Sequence, residues 1–324
     1  MEMAQQRGAN VVLMIDTETV YKAAPTPDGA VLPYTSESIR LDRGLVSSET
    51  IRSSRQPQAP VQGNVNVAGD INFELSPQYG RLFKHIFGSY GVTGGEAPYT
   101  HTFKIGTLPV GLMIEKQFTD LASAKYLQYN GCKVNSFKLS AKGSGMVPCS
   151  VSIIGAKETV ASSAHDASLT DLGHTPFSGF EASVAQGGSP IATVTAVELT
   201  LDNGLDGDTY VMDGTGQRYS LPEGAAKVSG KVTCLFLDTT LYALAVAHTE
   251  TTLSIVFTKG AGTGASAGNE KLSFLMDEVI FKPDSPVVTG PKGLVVDLGF
   301  EAYYNDDADA NALRAVLLSP LATF

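Results

Sequence analysis

The chain of 324 residues is long enough for two domains of the usual ~150 residues and for a sizeable core. Charged residues make up 17% of it, against about 25% in an average soluble protein, and 43% are hydrophobic, which excludes disorder of the whole chain and points to surface used for subunit contacts. A net charge of −10 argues against a surface built to grip nucleic acid with clustered Lys and Arg, though not against nucleic acid passing nearby. Residues 1–162 carry 15 basic and 13 acidic groups and residues 163–324 carry 8 and 20, so the acidity belongs to the second half.

In chain order, the apolar run Val11 to Ile15 is too short for a signal-peptide core or a membrane span, so synthesis in the cytoplasm is expected. Alternating apolar and polar residues bounded by Gly, Pro, Asn or Asp then predict strands over 64–75, 99–105, 111–118, 126–139, 147–154, 180–185, 192–201, 227–237, 251–257, 271–281 and 294–303. Two segments break the alternation. Pro77 to Phe87 follows Ser76, has Pro at the first helical position and stops at Gly88; Asp238 to Ala247 opens on a candidate N-cap, Asp238. Both predict short helices, and the fold class is mainly β. Cys132, Cys149 and Cys234 lack metal-ligand spacing and are expected as reduced, buried strand residues.

Each helix directly follows a strand, and the surrounding sequence repeats. SIRLDRGL, ending at Leu45, matches VELTLDNGL, ending at Leu205, at an offset of 160; Val67-x-Gly69-x-Ile71 matches Val228-x-Gly230-x-Val232 at 161. The expected organisation is an internal duplication: an N-terminal arm over 1–35, β modules over 36–157 and 194–304, a connector over 158–193 that is rich in Ser, Ala and Thr, and a C-terminal tail over 305–324. Each module carries one short helix and one long polar loop, Val46 to Pro60 and Asp206 to Leu221, too long for ordinary hairpin turns. The first loop is basic at Arg52 and Arg55 and the second acidic at Asp206, Asp208 and Asp213. Opposite signs at equivalent places make these five residues candidate contacts with a neighbouring copy.

Motifs for chemistry fail on context. Gly264-x-Ser266-x-Gly268 has the spacing of a nucleophile elbow, but it lies between two strands and the last histidine is His248. The same Gly-rich stretch lacks the third glycine and the helix of a phosphate cradle. Asp307, Asp309 and Asn311 begin like a calcium loop, but Ala312 and Leu318 occupy the positions that need Gly and Glu. Asp202, Asp206 and Asp208 suit turns better than a cation. The five histidines have no ligand spacing, and His85 and His248 are expected to close the two helices at their C-termini. No enzyme activity, cofactor or metal is expected.

The runs VNVAGDINFELSPQYGRLFKHIFGS, YTHTFKIGTLPVGLMIEKQF, YLQYNGCKVNSFKLSAKGSGMVPCSVSIIGAKE and PFSGFEASVAQGG resemble the major tail tube proteins of bacteriophages with long, non-contractile tails, over about residues 33–304. The resemblance implies a β-sandwich-like module with one flanking helix, closed into rings that stack as the virion's tail tube. It further implies enclosure of a tape-measure protein during assembly, passage of double-stranded DNA through the lumen without specific binding, and contacts with tail terminator and distal tail proteins, with no membrane partner. Two modules per chain would make three copies a pseudo-sixfold ring; one compound module per chain would require six. The acidic second half is expected to supply much of a negative bore. The alternative reading is a carbohydrate-binding or adhesion β-sandwich with Tyr126, Tyr129, Tyr303 and Tyr304 as stacking residues, against which the absence of Trp counts.

Overall fold

The structure is a computed structural model that describes residues 5–288, 290, 293–304 and 311–324. It is mainly β, with two short helices, as the alternation predicts. In chain order the elements used below are β1 (Val12–Glu18), β2 (Ser36–Glu37), β3 (Arg40–Asp42), β4 (Leu45–Val46), β5 (Val61–Gln62), β6 (Asn66–Glu74), α1 (Gly80–Phe87), β7 (Gly88–Thr93), β8 (Tyr99–Ile105), β9 (Gly111–Phe118), β10 (Lys125–Lys142), β11 (Pro148–Gly155) and β12 (Lys157–Ala161). The second half contributes β13 (Ala182–Gln186), β14 (Val194–Asp202), β15 (Lys227–Leu235), α2 (Thr240–Val246), β16 (Thr251–Thr258), β17 (Lys271–Phe281), β18 (Val295–Ala302) and β19 (Arg314–Ser319).

One layer is a continuous antiparallel run, β3–β6–β11–β10–β14–β15–β18–β17, in which residues from both halves lie edge to edge. The second layer has two parts, β1–β9–β10–β12 and β13–β16–β17–β19–β8–β7. The long strands β10 and β17 belong to both layers: the N-terminal part of each pairs in the second layer and the C-terminal part in the first. Leu41 lies opposite Val67 and Leu201 opposite Val228, so the residues matched by sequence at offsets of 160 and 161 also occupy matching register positions.

The core alternates with the strands. Val67, Ile71 and Phe73 of β6, Phe137 and Leu139 of β10, Leu199 and Leu201 of β14 and Phe257 of β16 are all buried in one cluster. Helix α1 drives Leu82, Phe83, Ile86 and Phe87 between the layers. The Phe83 ring centre sits 5.6 Å from that of Phe103, 6.4 Å from Phe137 and 6.4 Å from Phe274, a herringbone of edge contacts that ties both halves to one helix, each contact worth about 1 kcal/mol beyond area burial. The helix stops at Gly88 (φ 91°), where a Cβ would lie 2.4 Å from the Gly106 carbonyl oxygen. Helix α2 is shallower, with only Ala245 buried, and the Asp238 carboxylate accepts a hydrogen bond from the Thr240 amide at 2.8 Å.

Several segments differ from the sequence expectation. The residues expected as an N-terminal arm hold β1, paired along its length with β9, and those expected as a C-terminal tail hold β19, clamped between β17 and β8. The connector is a strap. His165 and Asp166 lie over the outer face of the first half, where the His165 amide donates to Glu115, its Nε2 sits 3.1 Å from Asp16, and Asp166 accepts from the Gly29 amide. His85 does not close α1 through its carbonyls: the ring is buried, Nε2 lies 2.9 Å from the Thr17 hydroxyl, and burial, with Lys84 and Arg81 nearby, lowers its pKa to about 3. The three cysteines are buried strand residues with free thiols.

Candidate assembly surfaces

The first long loop hangs from a two-rung ribbon, β4 with β5, in which Leu45 faces Gln62 and Val46 faces Val61. Hydrophobic side chains are normally spent on burial, yet Leu45, Val46 and Val61 are exposed and Ile51 at the loop is 98% accessible. Arg52 and Arg55 project from the same loop; among the described residues the Arg52 guanidinium hydrogen-bonds only the Gln56 carbonyl, at 3.2 Å. The whole excursion, residues 45–62, is an apolar and basic finger held to the body mainly at its root, where the Gly63 amide bonds the Gly44 carbonyl.

The second loop occupies the corresponding place after β14 but lies down on the first half. Its anchor is Arg218, 6% exposed: Nε donates to the Gly207 carbonyl at 2.6 Å, Nη1 to the Gly155 carbonyl at 2.6 Å and the Val67 carbonyl at 3.3 Å, and Nη2 to the Asn66 side chain at 2.6 Å. The guanidinium also stacks 5.3 Å from the Tyr210 ring, whose hydroxyl donates to the Val65 carbonyl at 3.0 Å. A buried guanidinium met by oriented carbonyls fixes the loop. Asp206 accepts from the Asp208 amide at 2.9 Å, and Asp213 accepts from the Thr215 amide and hydroxyl, which hold its carboxyl below the ordinary range. The Asp206 and Asp213 carboxylates shape turns within their own loop, and among the described residues none of the three acids forms an ion pair with Arg52 or Arg55 in the chain. Sequence reasoning picked out the flanking acids and passed over Arg218, whose only signal was a lone cation in an acidic loop.

The ends of the first layer are its remaining open features. At one end β3 pairs, among the described residues, only with β6, leaving Arg40, Leu41 and Asp42 exposed. There the backbone of Ile39 is already engaged by side chains: its amide donates to Glu37, and its carbonyl accepts from Lys116, which is also 2.5 Å from Glu37. At the other end, β17 pairs with β18 as far as Phe281, the Lys282 amide still donates to the Gly299 carbonyl, and residues 283–288 run on outside any strand, with Val287 and Val288 70% and 73% exposed. The outward face of this layer is polar, with Ser, Thr and Asn between the carboxylates Asp70, Glu74, Glu198, Asp202, Asp297 and Glu301 and the cations Lys138, Lys142, Lys227 and Lys231.

The motifs singled out by their spacing are not completed among the described residues. Ser266 sits in a turn where its carbonyl accepts from the Asn269 amide at 3.1 Å. Asp202 caps a turn through the Gly204 amide, and among the described residues no cluster of His, Cys, Asp and Glu could hold a metal ion. Asp307 and Asp309 of the calcium-like sequence lie outside the described residues. No helix among those described is long and apolar enough to cross a membrane. No curated protein matches the chain. A family model described as phage tail tube protein matches residues 8–302, nearly all of the chain. The open-ended β layer and the exposed finger suit a structural component of the virion tail, and the chain belongs to the phage tail tube protein family.

Proposed function

We propose that the chain polymerises as stacked rings into the tail tube, a conduit that encloses the tape-measure protein during assembly and passes double-stranded DNA at ejection. The observation that carries this reading is the first layer, whose two ends are open and unlike. Unlike ends join head to tail, and a head-to-tail contact that closes makes a ring and removes every sheet edge. The exposed finger of residues 45–62 supplies the contact to the next ring, with Arg52 and Arg55 at its tip; Asp206, Asp208 and Asp213 are candidates for the surface it meets. Tail terminator and distal tail proteins would cap the same two faces at the tube ends.

Two tube modules per chain, and hence three chains per ring, are favoured by the common strand order of the two halves: β1 lies beside β9 as β13 lies beside β16, and β12 flanks β10 as β19 flanks β17. Under this reading the outward face of the first layer lines the bore. Its six carboxylates outnumber its four lysines, and the excess comes from the second half, where Glu198, Asp202, Asp297 and Glu301 are set against Lys227 and Lys231, in keeping with a mildly negative lining from that half; more of its acidity lies in loops, as at Asp206, Asp208 and Asp213. Such a polar, mildly negative wall offers no cluster of cations to release counterions from passing phosphates, which is what sliding requires. Negative-stain microscopy of the concentrated protein and a projection down the assembly axis test the proposal. Rings or hollow rods with a central hole are expected, at three copies of 34.0 kDa per ring. A monomer at all concentrations, or a solid particle without a hole, overturns it.

A further inference from the structure

Resting on that tube reading, we infer that the seam already present inside the chain, β10 against β14, is the template for the joint between chains, and that it sets Arg40 of one copy opposite Asp284 of the next and Asp42 opposite Lys282. In the internal seam Ser136 faces Asp202, and Lys138 faces Thr200. On the β14 side, Asp202 and Thr200 correspond to Asp42 and Arg40, because Leu201 opposite Val228 repeats Leu41 opposite Val67. On the β10 side the correspondence runs through β18. Gly69 faces Ile153 and Ile153 faces Val134; equally, Gly230 faces Phe300 and Phe300 faces Phe281. One step further, Ser136 faces Ser152, while the Lys282 amide donates to the Gly299 carbonyl at 2.8 Å, so Lys282 stands where Ser136 does and Asp284 where Lys138 does.

Transferring the internal register to the free ends therefore aligns two consecutive outward-facing pairs of opposite charge, Asp42 with Lys282 and Arg40 with Asp284. A slip of two residues would set Asp42 against Asp284 or Arg40 against Lys282, like charges directly opposite. Arg40, Asp42 and Asp284 are exposed and make no ion pair with a described residue, and Lys282 reaches only Glu301 on its own sheet, at 2.5 Å. The backbone contributes less here than in the internal seam. Pro283 has no N–H to donate, and the Ile39 amide and carbonyl are occupied by Glu37 and Lys116, so side-chain charge selects the register. Because Lys282 turns its amide towards β18, residues 282 and 284 present to the neighbour the pair type without backbone hydrogen bonds, about 4.5 Å between Cα atoms, which is within disulfide reach.

The test is oxidative cross-linking of assembled Arg40→Cys/Asp284→Cys protein, the three native thiols being buried. A ladder of covalent oligomers closing at the ring number is expected on non-reducing gels, with at least tenfold less product from the out-of-register pair Asp42→Cys/Asp284→Cys. In wild-type tubes a zero-length carbodiimide linker should join Lys282 to Asp42 between chains, identified by peptide mass, which keeps the test decisive if the double variant does not assemble. Tubes that form but yield neither product, or yield the control product equally, overturn the seam while leaving the tube standing. Wild-type protein that forms no ring or tube overturns both.

Discussion

Arg218 offers the sharpest test of how the second loop is held. Replacing it with Met keeps most of the stem volume but removes donors to three carbonyls and the Asn66 side chain, all beneath a surface that leaves Arg218 only 6% exposed. Hydrogen bonds from a charged donor contribute about 1.5–3 kcal/mol each, and acceptors left without partners cost about 1–3 kcal/mol each. Two of the acceptors, the Gly155 and Val67 carbonyls, belong to strands that pair with each other, so the sum is not additive, and a loss of about 3–5 kcal/mol is expected. Arg218→Lys keeps the charge but not the fork, and should lose about half as much. Urea unfolding of the unassembled protein measures the difference, and hydrogen exchange locates it: amides of residues 206–221 should lose protection first while α1 keeps its own. A loss below about 1 kcal/mol with Arg218→Met, or unchanged exchange in the loop, would refute the view that this side chain pins the loop to the first half.

Acid should weaken the fold through His85. Its pKa falls from an ordinary value near 6.5 to about 3 when folded, so the unfolded chain takes up a proton that the native one refuses. Stability is then whole above pH 6.5 and falls as pH drops below it, by about 1.4 kcal/mol per unit and so roughly 2 kcal/mol by pH 5; urea titrations of wild type and His85→Gln should converge on acidification, and parallel curves would count against this. At Gly230 a Cβ would stand 2.1 Å from the Glu198 carbonyl oxygen and 2.4 Å from the Phe300 ring. Gly230→Ala is therefore expected to cost more than about 2 kcal/mol in thermal or urea unfolding, and a neutral result would mean the strands separate more easily than their packing implies. In the finger, Ile51→Asp should leave monomer stability within about 0.5 kcal/mol, because the side chain touches nothing in the chain, yet prevent rings from stacking, as sedimentation and negative-stain images would record. Tubes of normal length would remove the finger from the stacking contact.

Periodicity carried most of the β reading because each strand with one buried face alternates plainly, as in Val147 to Ile154. It was silent where that condition fails. Gly88 to Thr93 is nearly all exposed and rich in small residues, so nothing marks it as a strand until Tyr99–Ile105 pairs with it. Arg314 to Ser319 alternates well but follows an acidic stretch that reads as a tail; its partners lie 210 to 220 residues away at Tyr99–Lys104 and nearer by at Lys271–Leu275. Val12 to Glu18 buries both faces, because the strap with His165 covers the side that a solvent-facing strand would leave polar, and so Asp16 and Glu18 break the pattern. The candidate surfaces were legible as long polar loops, but not their fates. Whether a loop projects or lies down depends on acceptors supplied from elsewhere in the chain, such as Gly155 and Asn66 for Arg218, and no local pattern encodes those.

The pairing of Lys104 with Arg314, together with the unbroken seam between β10 and β14, has a mechanical consequence. Two separate ladders bridge the halves, so neither can swing relative to the other without shearing a row of backbone hydrogen bonds. Comparing ring outlines in straight and curved specimens would show whether that stiffness holds. Under the stacked-ring proposal, a tail made from this subunit flexes as a string of rigid washers does, its compliance residing in the gaskets between them.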